Sequence, residues 1–250
     1  MQVCQVRNIK IGEGRPKICL PIVASTDVEA MEQLEMFESL KYDLIEIRID
    51  FYQDIRDIKK VLSLLRDIRV STVKPLLLTC RSQKEGGQVQ LSNEEYKELL
   101  REILLARCVD MIDIEVMSSD YIISLLTGIA HRNNVKVIMS NHDFEQTPDN
   151  DVLIERLMKM EKMGADIAKI AVMPQNKEDV MRLLDLTMKM HEKLTIPIVT
   201  MSMGQLGVIS RISGELTGSA LTFATGAQSS APGQIHVRDM NIILEALHHD

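Results

Sequence analysis

Eight short apolar segments, each followed by residues at helical spacing, constrain the fold of this chain more than any other feature. Each is rich in valine, isoleucine or leucine and has the length of a β-strand; they are residues 18–23, 44–49, 75–80, 111–116, 135–140, 167–172, 196–201 and 220–224. Strands that alternate with helices form parallel sheets, and about 250 residues is typical of one (β/α)8 barrel. We therefore predict an α/β fold, a single (β/α)8 TIM barrel domain over residues 1–250.

The residues before the first apolar segment predict an additional N-terminal β-hairpin that closes the floor of the barrel. An open doubly wound sheet is the rival fold, but no G-x-G-x-x-G turn follows the first predicted strand.

The sequence also indicates where two of the helices begin. Ser92, with Glu95 three residues later, has the pattern of a capping box, and Asp27 is predicted to cap the first helix.

Charge and cysteine content exclude several classes of protein. The formal net charge is −7, which argues against nucleic acid or an anionic membrane as a partner. No apolar run is long enough to span a bilayer, and the first ten residues lack a signal-peptide core. The four cysteines contain no C-x-x-C pair, so neither a zinc site nor a disulfide framework is indicated. We expect a cytoplasmic protein.

Lys169 is the strongest candidate for a catalytic group, because it lies inside an apolar predicted strand. Lysine is rarely buried without a partner, and burial favours the neutral amine that can attack a carbonyl. The alternative is a structural lysine that reaches the end of its strand or pairs with an acid of the barrel, such as Glu46 or Glu115. Spacing alone leaves both interpretations open.

His142 follows the preceding predicted strand, where the carboxyl ends of barrel strands place reactive groups. Histidine is the side chain best suited to proton transfer near neutral pH. A lone histidine is more often structural, but its expected position beside Lys169 favours the catalytic interpretation.

Three arginines, Arg48, Arg81 and Arg211, fall at predicted strand ends or in the following loops. Guanidinium groups recognise carboxylates and hydroxyl groups through planar, directional donors. The alternative is internal pairing with the acids Glu46, Asp50 and Asp113. We expect both, since charges inside a barrel require partners.

Metal and phosphate sites receive less support. Asp113 and Glu115 share a strand face and could bind a hard cation, but no further oxygen ligands occur at a recognisable spacing. Glycine-containing loops follow the seventh and eighth predicted strands, where barrels often bind phosphate. The seventh loop leads to Arg211 rather than to a glycine-rich turn, which weakly favours a carboxylate. We expect no metal.

Several motifs together resemble the type I 3-dehydroquinate dehydratases. They are GEGRPK at residues 12–17, EIRID at 46–50, RSQKEGG at 81–87, MIDIE at 111–115, VIMSNHDF at 137–144, KIAVMPQ at 169–175, GVISR at 207–211 and SAPGQ at 230–234. They span most of the chain, and such a combination is very unlikely by chance. Two positions depart from the family pattern. Pro21 stands where many relatives have a substrate-contacting serine, and Met203 opens an atypical seventh loop.

The resemblance implies a homodimeric barrel without a cofactor that converts 3-dehydroquinate to 3-dehydroshikimate in the shikimate pathway. It implies that Lys169 forms an imine with the substrate, that His142 transfers protons and that Glu85 orients His142. It further implies that Arg211 binds the substrate carboxylate and that Met203 lines the pocket. The hydroxyl groups would be bound by Glu46, Arg48, Arg81, Ser230 and Gln234.

Two other functions remain open at this point. A class I Schiff-base aldolase on a similar barrel would use the same lysine chemistry, and a metabolite-binding barrel would use none. Residues 226–234 are small and polar, with glycines near both ends, which predicts a lid over the barrel mouth. The alternative is an ordinary turn before the last helix.

Overall fold

The computed structural model describes residues 3–248, so the ends of the predicted domain range, 1–2 and 249–250, lie outside the described residues. The strands are β1 (Cys4–Val6), β2 (Ile9–Ile11), β3 (Lys17–Ile22), β4 (Leu44–Arg48), β5 (Leu76–Thr79), β6 (Met111–Glu115), β7 (Lys136–Asp143), β8 (Ile167–Val172), β9 (Ile198–Ser202) and β10 (Leu221–Phe223). The helices are α1 (Asp27–Phe37), α2 (Ile58–Ser71), α3 (Asn93–Ala106), α4 (Asp120–Arg132), α5 (Asn150–Lys162), α6 (Lys177–Lys193), α7 (Ile209–Ile212), α8 (Gly214–Thr217) and α9 (Val237–Leu247).

Strands β3 to β10 form one parallel sheet in which β10 pairs with β3 and the others pair in chain order up to β9. The sheet closes where Ile198 at the start of β9 bridges to Ser219, and the Ala220 amide donates to the Ile198 carbonyl at 2.8 Å. Each strand overlaps one of the eight apolar segments. The predicted (β/α)8 barrel is therefore confirmed.

Two apolar clusters show which way each strand face points. Residues such as Ile45 and Ile47 of β4 belong to a large cluster with the helices outside the barrel. Leu44, at the start of the same strand, belongs to a second cluster that includes Cys4 and Ile11 of the β1–β2 hairpin. The hairpin thus packs against the strand starts and covers the barrel floor, as predicted.

The capping box is present, since the Ser92 hydroxyl accepts from the Glu95 amide at 3.2 Å and Glu95 accepts from the Ser92 amide at 2.8 Å. The predicted cap at Asp27 is wrong by one residue. Thr26 has the extended backbone of a cap, and its hydroxyl accepts from the Glu29 amide. Asp27 instead begins the helix and accepts a hydrogen bond from the Tyr52 hydroxyl at 2.7 Å.

Within residues 3–248, no helix is long and apolar enough to cross a membrane. The cysteines, Cys4, Cys19, Cys80 and Cys108, are buried free thiols. Burial is the main cause that raises the pKa of the Cys4 thiol to about 12, so this cysteine is a neutral core residue at physiological pH.

Candidate active site

A cavity lies at the carboxyl ends of the barrel strands and opens to solvent. It is lined by all ten predicted site residues: Glu46, Arg48, Arg81, Glu85, His142, Lys169, Met203, Arg211, Ser230 and Gln234. They come from several strands and loops that are distant in sequence. The parallel arrangement brings them together because every strand ends on the same side of the barrel.

Period-two alternation along β4 turns Glu46 and Arg48 into the barrel while Ile47 packs outward. Glu46 accepts a hydrogen bond from the Thr79 hydroxyl at 2.7 Å. The Arg48 guanidinium donates to both carboxylate oxygens of Asp50, at 2.9 and 2.8 Å. The expected internal ion pairing is therefore present at Arg48.

Arg81 is the centre of a buried charge network. Its guanidinium donates to Asp113 at 2.8 Å, to Glu115 at 3.1 Å and to the Ser140 hydroxyl at 2.9 Å. Burial lowers the pKa of Arg81, but Asp113, Glu115 and Glu85 raise it more, so it lies well above its ordinary value. Asp113 and Glu115 thus neutralise Arg81. The described part of the chain contains no group of three or more side chains that could hold a metal ion.

Lys169 is buried in the middle of β8, with only 4% of its surface exposed. Its Nζ lies 3.4 Å from the Asp113 carboxylate and 4.3 Å from the centre of the Phe223 ring. The neighbouring acid is therefore Asp113, not Glu46 or Glu115, which the sequence had suggested. Glu46 bonds Thr79 and Glu115 bonds Arg81, so both are already engaged.

His142 lies near the end of β7 and contacts Glu85, which ends the 3₁₀ helix Gln83–Glu85. One oxygen of Glu85 lies 2.9 Å from His142 Nδ1 and accepts from the His142 amide at 2.9 Å. Burial lowers the pKa of His142 well below its ordinary value, and the charges of Arg81, Lys169 and Arg48 lower it further. The imidazole is therefore neutral at physiological pH and can accept a proton.

Arg211 lies on the short helix α7, which packs closely against the end of β9. A side chain on Gly207 would meet the Ser202 carbonyl, so the loop can approach this closely only with glycine. The Ser210 hydroxyl then accepts from the Ser202 amide at 2.8 Å and fixes the helix on the strand. This packing turns Arg211 into the cavity.

Within residues 3–248, the Arg211 guanidinium has no acidic partner. It donates to the Pro232 carbonyl at 2.8 Å and contacts the Met201 sulfur at 3.9 Å, while its buried Nε has no hydrogen-bond partner. Burial lowers the pKa of Arg211 to about 10, so the group still carries its charge at neutral pH. A buried cation without a carboxylate is suited to bind an anion.

The loop of residues 226–234 lies over the cavity and contacts Arg48 and Arg211 at the mouth of the cavity. Arg48 donates to the Ser230 carbonyl at 3.3 Å, and Arg211 donates to the Pro232 carbonyl. Gln234 accepts from the Ser230 amide at 2.9 Å. Gly233 has a positive φ of 77°, and a side chain there would meet the Gly204 carbonyl. Whether the loop opens and closes stays a prediction.

Sequence reasoning missed several residues that line the cavity, among them Phe144, Met201 and Phe223. Alternation could have found Met201, since it is two residues before Met203, and Phe144, two residues after His142. Pro21, to which we assigned no ligand role, is absent from the lining of this cavity in the described chain.

Comparisons with known proteins agree with this geometry. The family model for type I 3-dehydroquinase matches residues 18–250. The chain is 45% identical over 244 residues to a 3-dehydroquinate dehydratase of Listeria monocytogenes, which covers 97% of both chains. A type I 3-dehydroquinate dehydratase of Clostridium difficile, solved with covalently modified comenic acid, is 44% identical with a TM-score of 0.96 over 99% of both chains. The Geobacillus kaustophilus 3-dehydroquinate dehydratase is 39% identical with a TM-score of 0.95, covering 98% of this chain and 96% of its own.

Proposed function

This chain belongs to the type I 3-dehydroquinase family, and we propose that it dehydrates 3-dehydroquinate to 3-dehydroshikimate through a covalent imine at Lys169. The observation that carries the mechanism is a buried lysine that lines the same cavity as a histidine and an arginine without an acidic partner among the described residues. The Clostridium difficile relative was solved with covalently modified comenic acid, which supports covalent chemistry in this family.

The first step is attack of the Lys169 amine on the substrate ketone. The carbinolamine loses one water molecule and becomes an imine, which is a stronger electron sink than the ketone when protonated. Asp113, at 3.4 Å from Nζ, stabilises the positive charge of that protonated imine. The Phe223 ring, with its centre 4.3 Å from Nζ, adds a cation–π interaction that favours the same positive charge.

His142 then serves both proton transfers. Its Nε2 removes the acidic proton next to the imine carbon, giving an enamine, and the same imidazolium protonates the departing β-hydroxyl as water. One histidine can perform both steps if the elimination is syn. Glu85, at 2.9 Å from Nδ1, stabilises the transient imidazolium. A second water molecule finally hydrolyses the imine and frees Lys169.

Substrate recognition divides between the charged and neutral groups of the cavity. Arg211, which lacks an acid, binds the substrate carboxylate. Arg48 stays paired with Asp50, and Arg81 stays paired with Asp113. Both arginines donate hydrogen bonds from their remaining N–H groups to the hydroxyl groups of the substrate. Glu46, Ser230 and Gln234 complete the hydrogen bonds, and Met203 packs against the carbon ring. The ten residues all line one cavity, which supports this assignment.

The family resemblance also supports a cofactor-free reaction, because the imine supplies the electron sink. We propose a cytoplasmic homodimer that acts in the biosynthesis of aromatic amino acids, with the chain folded as a single barrel domain. Sedimentation of the purified protein tests the association of two chains.

The appearance of product absorbance tests the reaction directly. Dehydration creates an enone conjugated with a carboxylate, so purified protein mixed with 3-dehydroquinate should produce a new ultraviolet band. An aldolase would break a carbon–carbon bond, and a binding protein would leave the substrate intact. Neither outcome gives the enone, so the absence of the band at high protein concentration would contradict the proposed function.

Replacement of His142 by alanine should separate imine formation from dehydration. Without the imidazole, proton transfer is blocked, and turnover should fall by about 10²–10⁴-fold. The Lys169 amine remains, so the substrate-derived mass should accumulate on the protein when the mixture is analysed by intact mass spectrometry. Glu85→Gln should be milder, because it weakens the orientation of His142 without deleting the base. Near-native turnover of the alanine variant would exclude the proposed role of His142.

A further inference from the structure

A chain of hydrogen bonds connects the outside of the barrel to His142. Arg156 lies on α5 and is half-buried. Its Nη1 donates to Asn141 Oδ1 at 2.6 Å, and Asn141 Nδ2 donates to Glu85 Oε1 at 3.0 Å. The other oxygen of Glu85 contacts His142. Only 4% of the surface of Asn141 is exposed, so its hydrogen bonds are shielded from solvent.

The chemistry of these groups determines the direction of every bond. A guanidinium has only donors, so the amide oxygen of Asn141 faces Arg156 and the amide N–H groups face Glu85. A donor at that distance stabilises the ionised form of Glu85. An ionised Glu85 can only accept, so His142 Nδ1 must carry its proton. His142 Nε2 is then left with a free lone pair for the substrate.

We propose that Asn141 and Arg156 are positioning residues that hold the Glu85 carboxylate in its orientation and favour its ionised form, and thereby select the His142 tautomer that can act as a base. This inference depends on the proposed role of His142 in proton transfer. Neither residue is among the described residues that line the cavity, and their side-chain hydrogen bonds lead to Glu85.

The surroundings of Glu85 explain why such support is needed. Burial is the main cause that raises the pKa of Glu85 to about 8, and the negative charges of Glu115 and Asp113 act in the same direction, so near neutral pH the carboxyl is poised between its protonated and ionised forms. Arg81, whose Nη1 is 3.6 Å away, and the Asn141 amide act against this rise. Around His142, the positive charges of Arg81, Lys169 and Arg48 keep the ring neutral. The Asn141 donor, the His142 backbone amide and the Arg81 guanidinium thus favour the ionised form of the carboxyl.

The test uses Arg156→Gln in the full chain, with kcat, KM and the pH profile as readouts. As pH falls, Glu85 takes up a proton, so activity is lost on the acid side. Weakening the Asn141 contact raises the pKa of Glu85, so the acid limb should move to higher pH by about 0.5–1 unit. We expect kcat near neutral pH to fall by about 3–10-fold, with KM changed by less than about twofold.

Lys159→Gln is the matched control, since Lys159 is also a cation of α5 and forms an ion pair with Asp120 on the protein surface. It should leave kcat and the pH profile unchanged. Arg156→Lys should recover part of the loss, because an ammonium can still donate to Asn141. The ¹⁵N shifts of the His142 imidazole should show a loss of the Nδ1–H tautomer in Arg156→Gln and not in Lys159→Gln.

Asn141→Ala provides a second variant that removes the donor to Glu85 directly, and it should shift the acid limb at least as far as Arg156→Gln. The proposal is overturned if Asn141→Ala keeps the wild-type pH profile and ring tautomer, or if Lys159→Gln shifts them as much as Arg156→Gln. Failure of the underlying mechanism would look different, because His142→Ala would then retain turnover.

Discussion

Lys169→Ala is expected to lose turnover by about 10⁴-fold or more, because Lys169 is the only lysine among the described residues that line the cavity. The barrel should stay folded. Asp113 loses the Lys169 Nζ at 3.4 Å but keeps its bonds from Arg81 and from the Ser140 hydroxyl. Removing a buried amine also removes its cost of desolvation. We therefore expect the free energy of unfolding to change by only about 1 kcal/mol.

Borohydride reduction in the presence of 3-dehydroquinate, followed by peptide mass mapping, checks the assignment. The wild-type protein should carry the reduced adduct on Lys169, and Lys169→Ala should carry none. Lys84 is the matched control, since it is an exposed lysine immediately before Glu85. Lys84→Ala should be trapped like the wild type. An adduct on Lys84, or trapping that survives in Lys169→Ala, would contradict the mechanism.

Arg211→Ala is expected to raise KM by about 30-fold to several thousand-fold, which corresponds to about 2–5 kcal/mol for truncating one partner of a desolvated charge pair. Arg211 has no acid of its own, and its Nε has no partner within residues 3–248. The substrate carboxylate would therefore be its counter-ion. The pKa of Arg211, lowered by burial to about 10, adds a pH effect. Its charge is lost as pH rises through that value, so KM should increase on the alkaline side.

A substrate analogue without the carboxylate measures the pairing itself. The analogue should bind the wild-type protein much more weakly than the substrate does, but should lose little further affinity for Arg211→Ala. The two changes are then coupled in a double-mutant cycle. Additive losses would mean that a different group binds the carboxylate. Arg211→Lys should show an intermediate KM, because it keeps the charge but not the planar pair of donors.

Local patterns predicted much of the fold and of the cavity. The alternation along residues 44–50 directs Glu46 and Arg48 inward, because successive side chains of a strand point to opposite faces. The capping box at Ser92 was equally visible, since it depends on residues three apart. The barrel followed from the number and spacing of the strands. The residues suggested by the family resemblance then met in one cavity, because all parallel strands end on the same side.

Which charges pair across the barrel was decided only by the tertiary structure. Asp113 approaches Lys169 from β6, two strands away in the sheet, while Arg81 bonds Asp113 and Glu115. Within residues 3–248, Arg211 lacks an acidic partner, although internal pairing was expected for all three arginines. The sequence by itself determined the alternation of strands and helices and which residues point inward, because these depend on neighbours along the chain. Pairing between strands depends on their order, register and tilt in the closed barrel, and these arise only when the whole sheet has formed.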